Sequence, residues 1–188
     1  MIIAIHQPNF MPWYPFFQKL KAADIFVILS HCQYRKNYFQ NRFNIGAAWY
    51  TMSVKKGTDL IVNKQYANSI IDWNNIKSKL PQYSEDLQVF DGCITETLND
   101  TNTQIIKTIA ELLNIQTTIV QDFATPLTST KRLIEICKNY EATTYLSGPC
   151  GSQYMDIDMF KANNIAVNFQ NESDQLKKPI LEVLNARS

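Results

Sequence analysis

His6, Gln7 and Asn9 close a short apolar run, and Trp13 follows within the same eight residues. This set suits a small polar ligand: imidazole can move a proton near neutral pH, carboxamides donate and accept hydrogen bonds, and indole stacks. His6 and Asn9 are the candidates for the chemistry itself, stabilising developing charge or carrying a proton, with Gln7 and Trp13 binding beside them. Lys36 and Arg42, in an aromatic stretch, can grip a diphosphate, and arginine does so with a bidentate fork. Ser147-Gly-Pro-Cys-Gly151 is a turn whose amides, at Ser147 and Gly148, can form an anion nest. Its thiol, Cys150, would be acidified by a helix start and could then act in acyl transfer. Tyr154, Asp156 and Asp158 can bind a sugar hydroxyl or a magnesium ion, although Asp156 and Asp158 also suit the first turn of a helix. His31 reads as a solvated loop residue that would neighbour His6 if their strands are adjacent.

These side chains need elements to hold them. Residues 2–5 and Asp24–Ser30 are continuous apolar runs that predict buried strands, and residues 12–23 predict a helix with Phe16, Phe17, Leu20 and Ala23 on one face. A crossover of that length implies parallel strands joined right-handedly. Residues 33–46 read as a loop lining a site, Trp49–Val54 as an alternating strand, Lys55–Thr58 as a turn, and residues 69–80 as a helix stopped by Pro81. The alternation then resumes. A helix is expected from Asn102 with Ile105, Ile106, Ile109, Leu112 and Leu113 on its stripe, then a strand over Thr117–Val120. Thr128 or Ser129 should cap the next helix, followed by a strand at Thr143–Leu146, a helix at Met155–Ala162 and a final strand at Ile165–Phe169. The pattern predicts one domain over residues 1–188, a three-layer α/β sandwich, Rossmann-like, with a mostly parallel sheet. In such sheets a ligand sits where a strand's carboxyl end meets the next helix, whose first N–H groups are unpaired, and residues 6–13 are expected there.

Composition narrows the partners. Eighteen Lys and Arg balance seventeen Asp and Glu for a net charge of +1, too weak a field for nucleic acid or an anionic membrane as the main partner. Cys32, Cys93, Cys137 and Cys150 contain no Cys-x-x-Cys pair and there are two histidines, which argues against structural zinc. The apolar start is too short for a signal peptide and no run reaches transmembrane length, so a cytoplasmic protein with reduced thiols is expected. Aromatic residues crowd into residues 10–50, chiefly as core, and an exposed remainder would point to a homodimer or partner surface.

Ile5-His-Gln-Pro-Asn-Phe-Met-Pro-Trp-Tyr-Pro-Phe-Phe-Gln-Lys19 resembles the opening motif of the WbqC-like family. Ala23–Leu29 with Gln33-Tyr34, Lys36 and Gln40-Asn-Arg42 is similar to its second block, and Arg132–Lys138, Tyr145–Pro149 and Tyr154-Met-Asp156 to its third. The resemblance adds Gln33 and Asn41 to the binding residues and implies a role in O-antigen or other surface-polysaccharide synthesis. The end of the chain departs from the family pattern: Asn171–Lys178 is short and polar, and Pro179–Asn185 only echoes the expected Ser-hydrophobic-x-Asp-Leu-Leu motif. His6-Gln-Pro-Asn9 is also similar in placement to the His-x-Gly-His signature of nucleotidyltransferases and pantothenate synthetase-like ligases, with Pro8 where that signature has Gly.

Three functions are therefore expected. The first is a transferase acting on a nucleotide-activated sugar or other small phosphorylated ligand. The second is an adenylyl or nucleotidyl transferase using ATP and magnesium, and the third a non-catalytic module that binds or hands on a sugar nucleotide. Acyl-coenzyme A is a further candidate co-substrate.

Overall fold

A computed structural model describes residues 1–57, 59–171 and 177–187. Its centre is a five-stranded, wholly parallel sheet built from β1 (Ile2–His6), β2 (Ile25–Ile28), β5 (Thr118–Gln121), β6 (Thr144–Ser147) and β7 (Ala166–Phe169). The spatial order is β5-β2-β1-β6-β7. The chain therefore works outward from β1 in one direction and then restarts on its other side, which places the topological switch point between β1 and β6.

β1 and β2 read as apolar runs because both of their faces are covered, whereas the edge strands β5 and β7 are partly exposed and include Gln121 and Asn168. On one face Ala4, Phe26, Ile28 and Leu146 pack against α1 (Tyr14–Lys21) and α4 (Leu98–Leu112). On the other, Ile3, Ile5, Val27 and Tyr145 pack against α5 (Ser129–Asn139) and α6 (Ile157–Ala162). The expected α/β sandwich is thus present. α2 (Ser69–Lys79), α3 (Ser84–Gln88) and α7 (Ile180–Asn185) extend the first face, where Ile180, Leu181 and Leu184 give the C-terminal segment a buried side. No helix among the described residues is long and apolar enough to cross a membrane.

Three local expectations are corrected. The helix expected from Asn102 begins at Leu98, because Thr97 accepts a hydrogen bond from the Asp100 N–H and caps it one turn earlier than the apolar stripe suggests. Asn102 is consequently a buried mid-helix residue. The expected loop at residues 33–46 contains β3 (Arg42–Ile45), which pairs antiparallel with β4 (Ala48–Thr51) across Gly46 at φ +55°, a conformation that suits glycine. Thr128 precedes α5 but its side chain makes no capping hydrogen bond, and Ser129 itself has φ +52°. Thr58 of the expected turn and residues 172–176 of the tail lie outside the described residues.

Candidate functional site

β1 is adjacent to both β2 and β6, so its last residue, His6, stands at the switch point between two cavities. One, of about 600 Å³, lies over the start of α1. The other, of about 710 Å³, lies over the ends of β1 and β2 and the start of α5. Among the described residues His6 is the one side chain common to both linings.

The His6 ring is held on two sides. Its Nδ1 is 2.9 Å from the Gln7 carbonyl oxygen, and because a carbonyl only accepts, Nδ1 carries the hydrogen and Nε2 the lone pair. The edge of the ring meets Phe16 at 4.9 Å between centroids. Burial, reinforced by the positive charge of Lys19, depresses the His6 pKa to about 3. The ring is therefore neutral at pH 7, with Nε2 able to accept a hydrogen bond.

The smaller cavity is walled mainly by apolar side chains from Phe10 to Phe16, with Phe39 at its edge. Lys19 lies at this wall, buried at 3% exposure, with Nζ 3.3 Å from the Ile5 carbonyl oxygen and 5.9 Å from the Phe26 ring centre. Desolvation lowers its pKa to about 7. Among the described residues no carboxylate pairs with it. The buried Trp13 Nε1 and Asn9 Oδ1 also lack hydrogen-bond partners among the described residues. Met11, buried and directly before Pro12, has φ +46°, a strained setting for a non-glycine residue of the kind found at ligand sites.

The expectation that unpaired N–H groups of α1 face this site is corrected. The Tyr14 N–H donates to the Lys178 carbonyl, the Phe16 N–H to the Trp13 carbonyl, and Pro15 has no N–H. Within the Ser147–Gly151 turn the Gly151 N–H donates to the Gly148 carbonyl and Pro149 has no N–H to offer. That turn runs into a short 3₁₀ segment, Pro149–Gln153, in place of an α-helix start, with Cys150 exposed on it. A Cβ on Gly151 would come within 2.0 Å of the Ser147 hydroxyl, so the close approach requires glycine.

The larger cavity is backed by a buried charge network. Asp122, just past β5, accepts hydrogen bonds from the Ser30 N–H and hydroxyl at 2.9 Å each, and its carboxylate lies 2.9 Å from His31 Nδ1. Arg132 of α5 pairs with the same carboxylate and donates to the carbonyl oxygens of His31 at 2.6 Å and Phe123 at 3.1 Å. His31 is therefore an oriented cavity residue and not a freely solvated one, and the adjacency of β1 and β2 places it on the same cavity as His6. Arg35 also lines this cavity, with its guanidinium 4.8 Å over the Tyr38 ring.

A family model described as the WbqC-like protein family matches residues 7–179. The chain belongs to the WbqC-like family. An uncharacterized protein of Mycobacterium tuberculosis, Rv1507c, is 25% identical over 189 aligned positions, covering 89% of this chain and 80% of that protein. A Zn(II)-bound AdcAII variant of Streptococcus pneumoniae spans 98% of this chain and 95% of its own at 13% identity, but its TM-score of 0.25 carries no argument.

The fold of this WbqC-like chain sorts the residues singled out in the sequence. His6, Asn9, Trp13 and Gly148 line the smaller cavity, whereas Gln7, Gln33 and Tyr154 join His6 on the larger. Gln7 is held by the Cys32 thiol and the Gln40 amide, and Gln33 donates to the Asp59 carbonyl. Asn41 is committed on both ends, accepting from the Tyr34 hydroxyl and donating to the Met52 carbonyl, so it fastens the hairpin. Arg42 stacks 4.2 Å from the Trp49 ring and donates to the Asn37 carbonyl, away from both linings. Lys36 is exposed and Ser147 buried, and neither is in the lining of these two cavities; Asp156 caps α6 by accepting from the Met159 N–H at 3.0 Å. Of the aromatic stretch, Phe10 and Phe43 are core, while Tyr38, Phe39 and Trp49 form an exposed row of touching rings.

Lys19, Arg35, Asp122 and Arg132 are the site residues that sequence reasoning missed. Lys19 had a signal: it falls among Phe16, Leu20 and Ala23, on the face that α1 must bury. Among the described residues no three His, Cys, Asp or Glu side chains gather as a metal site.

Proposed function

We propose that this protein is a transferase that takes a nucleotide-linked sugar in the crevice beside β1 and passes a group between ligands held in the two cavities. One observation carries this reading: His6 lines both, with its Nδ1 proton fixed on the Gln7 carbonyl and its Nε2 lone pair available. A hydroxyl or amine of the sugar in one cavity can give its proton to Nε2 as it attacks a group presented from the other; the new bond replaces that group's bond to its donor, which leaves with the electron pair. A pKa of about 3 makes the empty-site imidazole a weak base. An anionic ligand near Lys19 offsets the positive charge that helps to depress it, which strengthens the base when substrate is present. Asn9 lines the smaller cavity and its buried Oδ1 has no hydrogen-bond partner among the described residues, which makes it the acceptor for the same ligand.

Family membership supports the pathway, since the resemblance carries an association with surface-polysaccharide synthesis. The nucleotidyl-transfer alternative keeps the His6-Gln-Pro-Asn9 placement that suggested it, but the Tyr14 and Phe16 N–H groups at the start of α1 are occupied and Pro15 has none, so they lend it no anion site. The test is mass spectrometry of nucleotide sugars incubated with the protein and candidate acceptors. A new conjugate is expected with the native chain and a loss of at least a hundredfold in rate with His6→Ala. Full turnover by His6→Ala would rule out the assigned role.

A further inference from the structure

We infer that the smaller cavity is a diphosphate subsite, in which the Lys19 ammonium and the Trp13 indole N–H bind the anion and Asn9 accepts a hydroxyl or N–H from the rest of the same nucleoside diphosphate. This deepens the transferase reading and rests on it for the identity of the ligand.

The observations concern unmet needs at one place. An ammonium almost wholly removed from water is costly unless it is paired, yet the contacts of Lys19 among the described residues are one long bond to the Ile5 carbonyl and the Phe26 ring. An indole N–H normally finds a partner when buried, and Trp13 Nε1 has none among the described residues. Asn9 Oδ1 is in the same condition, and all three residues line the same cavity. Two donors, one cationic, and one acceptor inside apolar walls match an anion carrying a hydroxyl or amide. The cavity's volume of about 600 Å³ is ample for a nucleotide, with Phe39 and Trp13 as surfaces for a base. Loop cations are no substitute, because Arg42 and Lys36 line neither cavity.

Protonation gives a second handle. The ionisable groups sharing the cavity with Lys19 among the described residues are His6 from β1, Cys150 from the 3₁₀ segment and Lys177 from the C-terminal segment. Lys19 titrates at about 7 when the site is empty, so at pH 8 it is largely neutral and must take up a proton to hold an anion.

Calorimetric titration of the full chain with ADP, UDP and inorganic pyrophosphate, at pH 8 in two buffers of different ionisation enthalpy, reads both effects. Saturable binding of a nucleoside diphosphate with uptake approaching one proton is expected. Lys19→Met should weaken binding at least tenfold and abolish the uptake, and Trp13→Phe should weaken it severalfold. No diphosphate binding, binding without proton uptake, or unchanged affinity in a folded Lys19→Met variant each overturns the inference. If Lys19→Met does not fold, the proton count on the native chain decides. Lys19-dependent binding without sugar-nucleotide turnover would keep this subsite and remove the transferase; turnover that survives Lys19→Met with full affinity would do the reverse.

Discussion

The two cavities beside His6 handle buried charge in opposite ways. Behind the larger one, Asp122 with no exposed side-chain surface meets Arg132, His31 and the Ser30 backbone, so each charge has a partner within the protein. At the smaller one, Lys19 is equally buried and, among the described residues, has no opposite charge. A complete network is a rigid back wall that fixes where β2 ends and how His31 is turned. An incomplete one raises the free energy of the empty site, which an anion bound there would recover.

Substitutions can break this contrast. The largest effect is expected at Asp122→Ala, which strands Arg132 as an uncompensated buried charge. Urea denaturation should show a loss of about 3–5 kcal/mol, and a loss under 1 kcal/mol would mean that the network is not structural. Lys19→Met should act in the opposite direction, leaving stability unchanged or raising it by about 1–4 kcal/mol below pH 7. The sign follows from the lowered pKa: between about 7 and the ordinary lysine value of 10.5 the unfolded chain holds a proton that the folded chain lacks, so native stability rises with pH across that window. The advantage of Lys19→Met should therefore shrink from pH 7 to pH 10.5 in paired melts.

Asn102→Ala tests what joins the site to the rest of the fold. The Asn102 amide donates to the Pro8 carbonyl at 2.8 Å and to the Gln40 carbonyl at 2.7 Å, tying the His6 turn to the aromatic loop. A loss of about 1–3 kcal/mol is expected from leaving buried acceptors unmet, with weaker ligand binding in both cavities. The smallest effect should come from Asp156→Ala, which removes the α6 cap for about 1 kcal/mol and leaves diphosphate affinity unchanged. A large change in affinity would return Asp156 to the site.

The fold was readable because the sheet strands carry local signals: Ile2–Ile5 and Asp24–Ser30 enclose apolar runs, and Thr143–Leu146 is a β-branched and aromatic stretch between helices, wherever their neighbours lie. β3 was not, because Arg42 and Asn44 alternate with Phe43 and Ile45 over four residues amid polar sequence. That His6, Asn9 and Trp13 would line one cavity was legible for the same local reason, since a strand's end fixes which residues reach its rim. Asp122 was not, because its role depends on Ser30 at a separation of 92 residues, which no spacing rule encodes. Arg42 misled in the reverse sense: its residue type suits phosphate, but Trp49 across the hairpin holds it elsewhere.

The Asn102 amide also sets an order of assembly. Pro8 lies 94 residues before the side chain that secures its carbonyl, so during synthesis the opening motif leaves the ribosome long before it can take its final shape. α1 can form from local sequence, whereas β1 needs β2 and β6 beside it and the turn between β1 and α1 waits for α4 to dock. The ligand crevice is thus a late product of folding, and a chain truncated before residue 102 would carry the family's most recognisable motif without a formed site.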